Sequence, residues 1–209
     1  MNTKRIAGMS IMSAFSLVLL AIPFLRIAPF PVAPFLEYDA ADIPIMLATF
    51  IYGVGSGLVV TFVVSIIQGL AFSVSGIIGI VMHILATGTF VLTGGFLFKY
   101  LKKKKVKTII NLILSVLLGS IGWLISMVIY NIIFTPIFMG VPLEGVLNIM
   151  LPAIIPFNLL KAGVNGVVAS ILYMTLSKYI IRYLDNTPLT NEDIEKMNIV
   201  ESNDSENIN

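Results

Sequence analysis

Apolar residues run along this chain in long charge-free stretches, separated by short clusters of charge, glycine or proline. The lengths of those stretches predict membrane-spanning helices. The first, Ile6 to Leu25, holds twenty residues without a formal charge, enough to cross a hydrocarbon core of about 30 Å at about 1.5 Å per residue. No small-residue cleavage site of a signal peptide follows it. Instead Arg26-Ile-Ala-Pro-Phe-Pro-Val-Ala-Pro34 forms a stiff connection that a helix cannot enter. From Ile43 to Phe98 another 56 residues carry no charge. Gly53-Val-Gly-Ser-Gly57 and Ser73-Val-Ser-Gly76 divide this run into helices near 42–54, 57–73 and 76–101, the first short for a span. Thr108 to Leu143 predicts a fifth helix ending near Pro136, and Leu151 to about Tyr183 a sixth, interrupted by one cation, Lys161.

Charge placement gives an independent count. Three helices between Ile43 and Phe98 put Lys99, Lys102, Lys103, Lys104, Lys105 and Lys107 on the same side as Lys4 and Arg5, whereas two would put them on opposite sides. Positive residues collect in the cytoplasm, which favours three, six helices in all, and both termini inside. Lys178 and Arg182 close the last helix on that side, while Arg26, Glu37, Asp39, Asp42 and Glu144 fall near the outer face. From 185 to 209 the composition turns acidic, with Lys196 the single cation among seven carboxylates, and predicts a solvated cytoplasmic tail. The expectation is an all-α, multi-pass protein of the cell membrane: residues 1–184 in the bilayer, 185–209 as tail.

Composition agrees: 57% of the 209 residues are hydrophobic and 11% charged, with mean hydropathy +0.99. The 13 basic and 11 acidic residues nearly cancel, and no arginine stripe or aromatic base platform suggests nucleic acid as a partner. With no cysteine there is no thiolate metal site, iron–sulfur cluster or cysteine nucleophile. No G-x-x-x-x-G-K-[ST] occurs, so the chain does not bind ATP through a P-loop, and no H-E-x-x-H or intramembrane carboxylate supplies a metal or general-acid site. Ser75-Gly76 with His83 does not make a serine–histidine pair that one segment could assemble. No enzyme, metal site or resident cofactor is expected. No internal repeat is visible, which disfavours inverted-repeat transporters.

Lys161 then stands out as the one ionisable group read inside a span, costly unless it faces a cavity or a partner. Asn158, Lys161 and Asn165 share a helix face at i, i+3 and i+7, beside thin positions at Gly163 and Gly166. Interhelical hydrogen bonding and outward snorkelling are the alternative, but Lys161 lies about ten residues, roughly 15 Å, from the outer end. Asn131 is a second amide in an outer half-span. His83 and Thr87 share a face at i, i+4. In Phe35-Leu-Glu-Tyr-Asp-Ala-Ala-Asp-Ile-Pro44, Asp42 sits where an N-cap belongs, which leaves Glu37 and Tyr38 as solute contacts. On the first helix Ser10 and Ala14 are small residues four apart, a spacing that admits a second helix closely or packs inside the bundle.

Six helices, the proline-rich loop leading into Glu37-Tyr-Asp-x-x-Asp-Ile-Pro44, and Pro156-Phe-Asn-Leu-Leu-Lys161 together resemble the substrate-binding subunit of an energy-coupling factor vitamin transporter, and within it the riboflavin-binding kind. The resemblance covers about residues 4 to 184. It implies high-affinity capture of riboflavin from outside and delivery inward with a transmembrane coupling subunit and two cytoplasmic ATPases, in keeping with the missing P-loop. It also implies that Asn131, Asn158 and Lys161 face the flavin, with His83 and Thr87 nearby. Leu36, Glu37 and Tyr38 would belong to the loop covering the pocket, and Ser10 and Ala14 would meet the coupling subunit. Another vitamin, such as folate or pantothenate, or a non-transport scaffold or sensor, are the alternatives.

Overall fold

The computed structural model describes residues 3–71 and 76–185. The turn residues Ser73 to Ser75 and the acidic tail from 186 lie outside the described residues. The chain runs α1 (Thr3–Ala21), α2 (Asp42–Tyr52), α3 (Val54–Ala71), α4 (Gly76–Lys103), α5 (Thr108–Met139), α6 (Leu143–Ile149), a π-helical turn (Met150–Ile154) and α7 (Ile155–Asp185). Five spans are long and apolar enough to cross a membrane, α6 and α7 counting together as one, and α2 is a shorter apolar helix. Every helix expected from the charge-free runs is present, so the chain is an all-α multi-pass membrane protein.

Its polarity is that of a bundle in lipid. Ile11, Leu70, Ile77 and Leu151 are exposed, while Thr61, Ser65, Asn111, Ser115 and Asn131 are buried. In hydrocarbon a polar side chain is stable only when another group satisfies it. Asn111 Nδ2, for example, donates to the Phe98 carbonyl of the preceding helix at 3.0 Å.

The short α2 has a structural cause. Its eleven residues rise only about 16 Å, and its far end lies beside α1, where the Arg5 guanidinium donates to the Tyr52 carbonyl. The loop 26–41 leads into α2, with residues 39–41 buried in the bundle. The loop closes on itself: Ile27 and Tyr38 exchange backbone hydrogen bonds at 3.0 and 2.7 Å, and Arg26 pairs with Glu37. Its tip buries Ala33 and Leu36 in an apolar cluster with Val146, Met150, Ile154 and Phe157. Gly53, at φ +92°, turns the chain from α2 into α3, a conformation that costs other residues more.

Helix boundaries differ from expectation in several places. Helix α1 stops at Ala21, before Pro23, and Pro23–Leu25 forms a 3-10 turn instead of the end of the first span. Helix α3 begins at Val54 rather than near 57. Helix α5 passes through Pro136 to Met139 and stops at Gly140 in the left-handed region. A proline so near the end forfeits a single ladder bond, and Gly140 then caps the helix by donating to the Pro136 carbonyl. The last span is preceded by α6 and the π turn, in which Pro152 and the following Pro156 both lack the N–H of a regular α ladder.

Helices α4 and α5 cross at Gly94 and Gly119. A Cβ on Gly94 would lie 2.7 Å from the Ser115 carbonyl and 3.3 Å from Gly119 Cα, both backbone atoms that cannot step aside, whereas one on Gly163 meets nothing within 4 Å. Gly94→Val is expected to lower stability by about 1 to 3 kcal/mol through overpacking. Gly163→Ala should leave the melting temperature in detergent unchanged or raised. Equal melting of Gly94→Val and the parent would show that the two helices can separate without cost.

Candidate functional site

The stripe read from α7 is buried along its length: Asn158 is 1%, Lys161 7% and Asn165 0% exposed. Lys161 does not snorkel. Its Nζ donates to Asp39 Oδ2 at 2.8 Å and lies 3.7 Å from Asp42 Oδ2. This corrects the reading that Lys161 is the sole ionisable group inside the bundle and that no carboxylate is buried there. Because the loop folds inward, Asp39 and Asp42 are carried to it, at 3% and 0% exposure. The N-cap reading of Asp42 is corrected too. Ala41 is the N-cap of α2 and makes no side-chain cap bond. The Asp42 carboxylate instead accepts from Thr87 Oγ1 at 2.8 Å and lies 3.1 Å from His83 Nε2. His83 Nδ1 meets Ser65 Oγ at 2.6 Å. His83 thus meets a carboxylate and a hydroxyl rather than the backbone carbonyl that is commonest for a lone histidine.

Asn165 fastens the same loop from behind: it accepts from the Tyr38 hydroxyl at 2.8 Å and donates to the Asp39 carbonyl at 3.1 Å. Burial pushes the Tyr38 phenol above its ordinary value, so it remains a donor. Ala41 N–H donates to Asp39 Oδ1 at 3.0 Å, which sets the carboxylate toward α7.

Against this network lies a cavity of about 140 Å³, lined by Leu36, Glu37, His83, Asn131, Asn158 and Lys161 among the expected residues, with Gln68, Trp123, Met127, Thr135 and Phe157 also on its wall. Tyr38 and Thr87 do not line it; they hold the loop and Asp42 from outside. The two amides are fixed before any ligand arrives. Asn131 donates to the Met127 carbonyl at 2.7 Å and accepts from Thr135 Oγ1 at 2.7 Å. Asn158 donates to the Ile154 carbonyl at 2.8 Å and accepts from Trp123 Nε1 at 2.9 Å. An amide has two N–H donors and two carbonyl lone pairs, so each side chain keeps one of each. Gln68 Oε1 is buried and has no partner among the described residues.

Sequence reasoning had not singled out Trp123, Gln68 and Thr135 as lining. Trp123 and Gln68 are the only tryptophan and the only glutamine in the chain, and that rarity within apolar spans was the available signal. On α1 the alternatives for the small residues separate. Ser10 and Ala14 are exposed, while Gly8, Met9, Met12, Ser16 and Leu20 form the buried face.

Residues 4–173 match the family described as ECF transporter, substrate-specific component. The chain is 30% identical over 190 residues to riboflavin transporter FmnP of Bacillus subtilis (strain 168), covering 86% of this chain and 95% of that one. It is 29% identical over 192 residues to riboflavin transporter RibU of Staphylococcus aureus (strain TCH60), covering 87% and 94%. The solved S component of a bacterial ECF transporter superposes with a TM-score of 0.62 at 30% identity, covering 85% of this chain and 97% of that one. With a buried polar site under an inward-folded loop and a family match over most of its length, this chain belongs to the substrate-specific components of ECF transporters.

Proposed function

We propose that the chain captures riboflavin in the cavity beneath loop 26–41 and delivers it inward with a transmembrane coupling subunit and two ATPases that supply the ATP hydrolysis. The relatives named riboflavin transporters support the ligand, and one observation in the site carries it: Lys161, the only Lys or Arg among the described residues of the cavity wall, is already neutralised. Lys161 faces Asp39 and Asp42 at 2.8 and 3.7 Å, so the buried cluster holds no spare positive charge for a ligand carboxylate or phosphate. Burying an unpaired anion beside two carboxylates is costly, which weighs against folate, pantothenate and phosphorylated flavin. A neutral flavin suits what remains. Its pyrimidine edge alternates carbonyls and an imide N–H, complementary to the spare donor and acceptor of Asn131 and Asn158. Its dimethylbenzene end needs only walls such as Met127 and Phe157, and its hydroxylated tail can donate to Gln68 Oε1 and Glu37.

The cavity of about 140 Å³ is below the roughly 300–1,000 Å³ of typical ligand sites. Ligand entry therefore requires loop 26–41 to withdraw, and the polar contacts of Tyr38 and Asp39 with α7 are what withdrawal breaks.

Titrating flavin fluorescence with detergent-purified protein tests the ligand. The expected result is one-to-one binding of riboflavin, with flavin mononucleotide weaker by at least about tenfold, ~1.4 kcal/mol. Equal affinity for the two would sink the neutral-ligand reading.

Asn158→Leu is expected to weaken riboflavin by about 1 to 3 kcal/mol, the range for a buried hydrogen bond. Lys161→Met should both weaken binding and lower the melting temperature, because it leaves Asp39 and Asp42 buried without a counter-charge, at about 3 to 5 kcal/mol. Unchanged binding and melting of Lys161→Met would remove the lysine from both roles.

Ser10 and Ala14 present the docking face for the coupling subunit. Ala14→Trp is expected to bind riboflavin like the parent yet fail to support uptake when co-expressed with the coupling subunit and ATPases, since bulk there blocks close helix approach. Normal uptake by that variant would place the partner on another surface.

A further inference from the structure

A second cavity lies at the lysine-bearing end, between the start of α1, the α2–α3 junction and the end of α4. Its volume of about 610 Å³ is more than four times the 140 Å³ beneath the loop. It falls inside the roughly 300–1,000 Å³ range of ligand sites. Three cations line it, Arg5, Lys99 and Lys102, and among the described residues no Asp or Glu does. The backbone makes the space: Gly53 turns the chain at φ +92°, and a Cβ on Gly55 would project into open volume.

Arg5 is held in place, its Nε donating to Ser56 Oγ at 2.9 Å and its terminal nitrogen to the Tyr52 carbonyl. Lys99 and Lys102 stand on one face of α4 at i, i+3. Helix α1 packs on α2 and α3, so its cation faces those of α4 across the cavity. Like charges so placed repel, and an anion between them would turn repulsion into a bridge.

The walls indicate which anion. Leu92 and Phe96, 40% and 56% exposed, line the cavity from the lipid-facing side of α4. The space therefore opens sideways to acyl chains while its cations sit at headgroup level. A soluble anion would use the cations alone; an anionic lipid uses the cations and the apolar wall together. The positive-inside rule puts this end in the cytoplasm, where the leaflet carries anionic lipids. We propose that this cavity binds an anionic phospholipid of the cytoplasmic leaflet, its phosphate between Arg5, Lys99 and Lys102 and an acyl chain along Leu92 and Phe96.

Native mass spectrometry of the full chain, released from nanodiscs holding equal phosphatidylglycerol and phosphatidylcholine, tests this. The parent should retain the anionic lipid over the zwitterionic one by about fivefold or more, and K99Q/K102Q should cut that preference by at least about fivefold, the effect of a single lysine near the surface. Both lysines are exposed, so the doubly substituted chain should melt like the parent. K104Q/K105Q, which removes equal charge outside the cavity, should keep the parent's preference. An unchanged preference in K99Q/K102Q overturns the proposal. So does an equal loss in K104Q/K105Q, which would mean diffuse surface charge. Displacement of the lipid by millimolar inorganic phosphate would assign the site to a soluble anion instead.

Discussion

The outer half of this bundle is organised by one buried ion pair, Lys161 of α7 with Asp39 of the loop. An ammonium in hydrocarbon needs a counter-charge, and the carboxylates that supply it, Asp39 and Asp42, belong to a segment that would otherwise lie in water. Satisfying the lysine pulls that segment inward, and much else follows. Asp42 arrives with Asp39 and needs donors of its own, which Thr87 and His83 supply from α4. Helix α2 begins deep and is short. Asn165, one turn beyond Lys161, is positioned to bind the loop backbone and Tyr38. Removing either ionic partner would leave the other buried and uncompensated, which is why such pairs are hard to lose singly.

The helices were legible because bilayer thickness sets a length that charge-free runs must meet, and because glycine and serine clusters mark where one long run breaks. The α7 stripe was legible for a similar reason: Asn158, Lys161 and Asn165 share a face at helical spacing, whatever they contact. The partner of Lys161 was not. Asp39 and Asp42 lie more than a hundred positions away on a segment without a helical or strand period, and proline-rich connections usually stay at the surface. Local rules even favoured the wrong role for Asp42, since Asp before Ile-Pro is a good N-cap pattern. A long-range charge demand outweighed a cap worth about 1 kcal/mol. Trp123 was hidden differently: Gly119, Ser120 and Ser126 mark the same inward face of α5, but its indole N–H meets Asn158 on the following span, a partner that no local spacing indicates.

The polar groups around the cavity fall into two sets. The ionic groups hold the loop, with Asp42 Oδ2 buried and without a hydrogen-bond donor among the described residues, while Asn131, Asn158 and Gln68 are neutral and keep spare hydrogen-bonding capacity. Each asparagine is anchored to the carbonyl four residues back on its own helix, so its orientation costs little on binding. Lys161 belongs to both sets, lining the cavity and holding Asp39. A ligand that draws on its Nζ hydrogens weakens the clasp, whereas one that fills the apolar space under Leu36 extends the loop's packing. Lys161 and Gln68, whose Nε2 donates to Asp39 Oδ2 at 3.5 Å, thus tie the cavity wall to the loop, while Asn131 and Asn158 hold to their own helices.

Helix α1 contributes no residue to that cavity, which is built from the loop, α3, α4, α5 and α7. Its buried face is narrow, and its other side carries Ala7, Ser10 and Ala14 between the exposed Ile11, Phe15 and Val18. In lipid such a face gains nothing from hydrophobicity, because acyl chains are as apolar as any partner; what it offers is a shallow groove that another helix fills better than a disordered chain. A contact of that kind is strong only while the geometry matches, and therefore reversible. A partner docked there, as proposed, would meet the one long helix that lines no part of the cavity, and would make no direct contact with Asn131, Asn158 or the loop clasp.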